Sequence, residues 1–234
     1  MQPIYSGGSG NAQGAVSRVE FLRTTYLYLA GAIVAFAFAS FLLNILGVGM
    51  LMLKAMSVSR FVWLAVLGAF MIAGRMASGM ADNGQDNSKQ LMGLGFYVLA
   101  EALIFSPLFA YASIVAPSAI PAAAFVTLML CGGLTWTAFT TKSDFSFLGG
   151  ILKIGGMVAM GVILFSVLFG ASLGLWFSAI MIVFAGGCVL YDTAQIIHHY
   201  PTDRPAGAAL HLFASIALML WYVLSLLLKL SGRD

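Results

Sequence analysis

Two carboxylic acids stand inside stretches that otherwise carry no carboxylate, lysine or arginine: Asp192, within MIVFAGGCVLYDTAQIIHHY (residues 181–200), and Glu101, in the middle of 91–116. A carboxylate at the centre of a bilayer costs roughly 2.5–3.5 kcal/mol on insertion scales, so such a residue ordinarily faces the inside of a bundle and holds a partner or a proton. The chemistry open to it is cation binding or proton exchange. On a helix, Cys188, Val189, Gln195 and Ile196 share the face of Asp192. Ala185, Gly186 and Gly187, about two turns earlier, let a neighbouring backbone approach. Asp192 is therefore expected to be read by another helix. The plainer alternative is a structural, hydrogen-bonded acid near a helix end; for Glu101 it is a neutral, protonated packing group.

A second set follows at helical spacing. His211, Ser215, Leu218, Tyr222, Ser225 and Lys229 recur every three or four residues, so one face of their helix is mostly polar. A polar stripe on a spanning helix faces protein or water. Asp192, Glu101, Ser215 and His211 are thus expected to meet at one partly hydrated cavity as ion- or proton-handling residues, with Arg75 or Arg23 as counter-charge. The alternative for both arginines is snorkelling to the headgroups.

Other patterns carry less. His198 and His199 are adjacent, and neighbours on a helix do not share a face, which argues against a shared metal. Gly170-Ala171-Ser172-Leu173-Gly174 fits G-x-S-x-G, yet that motif needs a strand, a turn and a helix with an acid and a histidine downstream; here it reads as a turn between two spans. Cys131 and Cys188 lie in apolar runs without metal-ligand spacing and read as packing residues. With no composed catalytic set, no enzymatic activity, cofactor or metal site is expected.

The elements that must position these residues follow from composition. Of the 234 residues 61% are hydrophobic and 8% charged, against about 25% charged in soluble proteins, and mean hydropathy is +0.99. The fold class is an all-α integral membrane protein. Net charge is +3 with basic residues scattered, which leaves no footprint for nucleic acid; the expected surroundings are membrane lipid. Residues 1–20, uncharged as far as residue 16 and there rich in Gly, Ser, Asn and Gln, are expected to form a disordered cytoplasmic tail, followed over 21–234 by a single transmembrane domain. Long apolar runs at 21–48, 61–77, 91–116, 119–141, 148–169, 172–197 and 207–230 predict seven transmembrane helices, each near the roughly 20 residues a crossing needs. Arg75 is taken to end the second, and the glycines of the fifth to allow close helix crossing. Seven basic residues (Arg18, Arg23, Arg75, Lys89, Lys142, Lys153, Arg204) fall on the side of the amino terminus and four (Lys54, Arg60, Lys229, Arg233) on the other. The positive-inside rule then places the amino terminus in the cytoplasm and the carboxyl terminus outside.

The runs TTKSDFSFLGG (140–150) and LYDTAQII (190–197), together with Ser106-Pro107, Ala209-Leu210-His211-Leu212-Phe213 and the seven-span layout, resemble the Bax inhibitor-one (transmembrane Bax inhibitor motif) family, particularly its bacterial inner-membrane members. The resemblance covers nearly all of the chain beyond the tail. It implies a central helix wrapped by the others, a location in the inner membrane, and one of two activities. The first is a pH-sensitive calcium leak governed by two aspartates near the cytoplasmic side; one corresponds to Asp192, while the place of the other, six residues after Ala209, holds Ser215. The second is modulation of the membrane-bound FtsH protease, with the polar amino-terminal tail as the relevant segment.

Overall fold

The computed structural model describes residues 9–83, 86–141 and 145–232, apart from the side chains of 9–16 and of Arg60. The expected tail residues 1–8 lie outside these, as do Lys142, Ser143 and Asp144 of the TTKSDFSF turn and Arg233 and Asp234. The described residues form eight α-helices and one 3-10 turn, with no strand among them: α1 (Ser9–Ile45), α2 (Val48–Val58), α3 (Arg60–Ala81), α4 (Asn87–Val115), α5 (Ala119–Thr140), the turn Phe145–Phe147, α6 (Leu148–Phe169), α7 (Leu175–His198) and α8 (Pro205–Ser231). Seven of them are long and apolar enough to cross a membrane, all except α2.

Three expectations need correction. The segment at the amino terminus is helical from Ser9, and residues 17–20 belong to α1 instead of a disordered tail. The anchor is Arg18, whose guanidinium donates to carbonyls of the 196–200 region and lies 5.5 Å from the centre of the Phe21 ring. Next, the first apolar run does not end in one helix. Gly47 takes φ 71°, a left-handed conformation that glycine adopts without the Cβ penalty. The chain turns there into α2, whose 11 residues span about 16 Å at 1.5 Å per residue, half the roughly 30 Å of a bilayer core. Gly49 then lets α2 lie directly on α4, against the Ser106 carbonyl and Ala110. Finally, α3 runs past Arg75 to Ala81; an arginine one or two turns from a helix end reaches the interface and does not stop the helix.

Helix α8 is the central element and packs against α1, α3, α4, α5 and α7. Four consecutive small residues, Ala206, Gly207, Ala208 and Ala209, are buried at its start, and small side chains are what let helices approach in lipid. Higher up, aromatic rings fill the centre: Phe36 meets Phe105 edge-on at 5.1 Å and Phe213 at 5.7 Å, contacts worth about 0.5–1.5 kcal/mol each beyond area. Pro107 inside α4 leaves the Leu103 carbonyl without its helical donor, and the Ser106 hydroxyl supplies one at 2.8 Å. Helix α6 buries no residue. Its Gly149 and Gly155 receive the Tyr191 and Phe184 rings of α7, while Gly150 and Gly161 face open space, so only part of that glycine run serves close packing.

Starts and stops follow local chemistry. Ser59 accepts from the Phe61 amide at 3.2 Å at the start of α3, Asp86 accepts from the amides of Ser88 and Lys89 at 3.0 and 3.2 Å at the start of α4, and Pro205 opens α8 at a position where its missing N–H is not needed. Chain direction puts the start of α1, the ends of α3 and α7 and the starts of α4 and α8 at one end, the near end. The starts of α3 and α7 and the end of α8 lie at the far end. The segment Gly170–Gly174 is a turn between α6 and α7 with no strand context.

Candidate functional site

The near end is built by three side chains that fasten the connection after α7. Arg18 donates to the carbonyls of Tyr200 at 2.6 Å, His198 at 3.2 Å and Ile196 at 3.3 Å. The Ile196 and His198 oxygens belong to the last turn of α7, where carbonyls lack helical donors and a cation also suits the helix dipole. The buried Gln90 of α4 donates its side-chain amide to the Asn83 carbonyl at 3.0 Å and the Asp203 carbonyl at 2.9 Å, tying the connection after α3 to that after α7. Tyr200, stacked on Phe21 with ring centroids 6.2 Å apart, is thereby turned inward.

The result is a polar cluster on Asp82, the residue that caps α3. The Tyr200 hydroxyl donates to Asp82 Oδ1, and His211 Nε2 of α8 lies 3.3 Å from Asp82 Oδ2. Burial, the largest single influence on the Asp82 carboxyl, works to raise its pKa; the hydrogen bonds from His211 and Tyr200 and the charges of His211 and Arg204 outweigh it and hold the group below the usual carboxylate range. Tyr200 is shifted above the ordinary phenol range, first by burial and then by its bond to Asp82. Gly207 is required here: a Cβ on it would meet the Asp82 carboxylate, the Tyr200 hydroxyl and the Ala81 carbonyl.

One turn along α8 from His211, the buried Ser215 donates its hydroxyl to Asp192 Oδ2 of α7. The residue expected to be read by another helix is thus read by α8, at the position where the resemblance expects the second aspartate. His211 lies one turn before Ser215 on the same side of α8.

Glu101 sits elsewhere. It is 6% exposed, accepts from the Tyr97 hydroxyl at 3.0 Å, and lines a cavity of ≈ 710 Å³ that extends through the far half to Lys229. Ser215, Leu218, Tyr222, Ser225 and Lys229 line the same cavity, so the polar stripe of α8 does face a cavity as its spacing predicts. Asp192 and His211 are not part of that lining. Ser215 is the residue common to both places.

The counter-charges differ from expectation. Arg23 and Arg75 are both exposed, and among the described residues neither pairs with Asp192 or Glu101, whose partners are Ser215 and Tyr97. The cation-capable side chain at the near end is His211, which pairs with Asp82; Glu101 lies apart from it. Sequence reasoning missed Asp82, Tyr200 and Gly207 as members of the site. The one local sign was two acids, Asp82 and Asp86, close together in a short connection, and Asp86 is the α4 cap.

Comparison with known proteins agrees with this architecture. Residues 18–232 match the family described as inhibitor of apoptosis-promoting Bax1. A stretch of 82 residues, 35% of this chain, is 38% identical to the uncharacterized protein PA2604 of Pseudomonas aeruginosa, of whose length it spans about 37%. The match runs over all seven spanning helices and over the helices that carry Asp192, His211 and Ser215, and the chain is therefore a member of the Bax inhibitor-1 (transmembrane Bax inhibitor motif) family.

Proposed function

We propose that this multi-pass membrane protein is a proton-responsive cation leak, with calcium as the cation, and that its near end faces the cytoplasm across the inner membrane. The observation that carries the reading is the double role of Ser215, which donates to Asp192 on the near side and lines the far-half cavity with Glu101 on the other. Groups able to hold a proton or a cation thus follow one another along α8. They run from Asp82 and His211 at the cytoplasmic surface through Asp192 and Ser215 to Glu101 and the cavity. Histidine is the side chain whose charge changes near neutral pH. Its pairing with Asp82 couples the state of the near end to proton concentration. Orientation rests on the seven-to-four distribution of basic residues.

With a serine in place of a second aspartate, Asp192 lacks the like-charge neighbour that makes a carboxylate pair share a proton. A weak leak with shallow pH dependence follows. The test is calcium flux into dye-loaded liposomes carrying the purified protein, measured across pH: Asp192→Asn flattens the dependence. A strong, steep response in the wild type that survives Asp192→Asn overturns the reading. Modulation of a membrane-bound protease through a flexible tail has less support, because the chain is helical from Ser9.

A further inference from the structure

The far-half cavity has a composition that the leak does not require. Its lining holds a carboxylic acid, Glu101, and several aromatic side chains: Trp63, stacked on Trp221 at 5.8 Å with 17° between the planes, Phe105, which meets Trp221 edge-on at 5.1 Å, and Tyr97 and Tyr222. Its volume, ≈ 710 Å³, falls within the about 300–1,000 Å³ of small-molecule pockets. Glu101 accepts one hydrogen bond, from Tyr97, and among the described residues no lysine or arginine pairs with it. The cation that lines the same cavity, Lys229, is engaged at the far end by the Ser178 hydroxyl at 2.8 Å and the Gly174 carbonyl at 3.4 Å. A buried acid ordinarily has a cation or a proton; aromatic faces attract cations whose hydration is weak.

From this juxtaposition we infer that the cavity is a binding site for a lipophilic organic monocation, an aryl- or alkyl-substituted ammonium or phosphonium, with Glu101 as its counter-ion and the Trp63, Phe105 and Trp221 rings as its walls. The inference shares Glu101 and the cavity with the proposed leak but does not rest on it, since binding needs neither Asp192 nor ion passage. Metal cations are poorly retained here, which suits passage and not residence. A hard divalent ion takes six or more oxygen ligands, whereas the walls here are mostly carbon. An anionic lipid would bring its charge toward Glu101 and fits the Lys229 end alone.

The probe is tetraphenylphosphonium, titrated against the full-length protein in detergent, with quenching of tryptophan fluorescence as the readout because Trp63 and Trp221 line the cavity. Tetraphenylborate, of the same shape and opposite charge, is the comparison. Saturable quenching by the phosphonium and none by the borate is expected. Glu101→Gln should weaken phosphonium binding by at least about tenfold, as removal of one partner of a buried charge pair does, and Glu101→Asp should restore part of it. If Glu101→Gln does not fold, Ser225→Trp, which fills the cavity with Glu101 in place, should abolish quenching. Equal quenching by both ions, or full affinity in Glu101→Gln or Ser225→Trp, would show a cavity that takes apolar matter without regard to charge and would overturn the inference. Asp192→Asn, which alters the proposed leak and leaves the cavity lining intact, should bind the phosphonium like the wild type, so failure of this site and failure of the leak are told apart.

Discussion

The Asp82 cluster yields the most direct test of the near-end architecture. Asp82→Asn keeps the size of the side chain and an oxygen able to accept from Tyr200, and removes only the charge. The Asp82 and His211 side chains are 34% and 41% exposed, so solvent screens their ion pair and about 0.2–1 kcal/mol is at stake there. The Tyr200 bond changes from a charged acceptor, about 1.5–3 kcal/mol, to a neutral one, about 0.5–1.5 kcal/mol. Together the loss is about 1–2 kcal/mol, a factor of roughly 5–30 in the equilibrium for local opening. It should appear as faster amide hydrogen exchange at the start of α8 and in the connection after α7, measured on the protein in nanodiscs, with α5 and α6 unchanged. The pH dependence has a definite sign. The Asp82 pKa is lowered in the folded protein, so its contribution is present above the ordinary carboxylate range and disappears as pH falls through the lowered value. The wild type should approach the variant fully only in strong acid; at high pH, where His211 loses its proton, the ion-pair part of the difference alone is lost. Glu20→Gln, on the exposed face of α1, is the control. An effect of Asp82→Asn no larger than that of Glu20→Gln, or one spread evenly over all helices, would refute the reasoning.

Gly207→Ala drives a methyl group into Asp82, Tyr200 and the Ala81 carbonyl and should cost about 1–3 kcal/mol as overpacking, seen as a lower thermal midpoint; Gly150→Ala, with nothing near its Cβ, should not lower it. Ser215→Asp should steepen the pH dependence of calcium flux by giving Asp192 a like-charged neighbour, whereas Ser215→Ala, which leaves the carboxylate without its donor, should destabilise the protein by about 1–3 kcal/mol. Reporter fusions after Gly207 and after Asp234 should report opposite sides of the membrane, cytoplasmic for the first; the same side for both would contradict a crossing by α8.

The crossings were legible in the sequence because hydropathy over some twenty residues is a local property, and the limits of α6 coincide with the expected run at 148–169. The Asp192–Ser215 contact was legible for a different reason: an acid in an apolar helix needs a partner, and the α8 stripe offered one at helical spacing. Asp82 was not. It lies 129 residues from His211, in a connection whose polarity is fully explained by the membrane surface, and only the folding of the connection after α7 brings Tyr200 to it. Arg23 and Arg75 misled because charge alone does not say which way a long side chain leaves its helix. The break at Gly47 was hidden inside uninterrupted hydrophobicity, where one glycine is a weak signal and its left-handed backbone decides.

Arg18 gives the protein a schedule for its own manufacture. Its carbonyl partners lie 178 to 182 positions later in the chain, and at about 5–20 residues per second roughly 10–40 s of translation separate them. Through that interval Arg18 is without these partners, although the near-end bond from Gln90 to the Asn83 carbonyl needs only α3 and α4. Helix α1 can pack on α4 long before then, and its first turns are closed onto the near end only when the end of α7 arrives. A ribosome that stalls before Ile196 leaves the earliest helix without its Arg18 anchor.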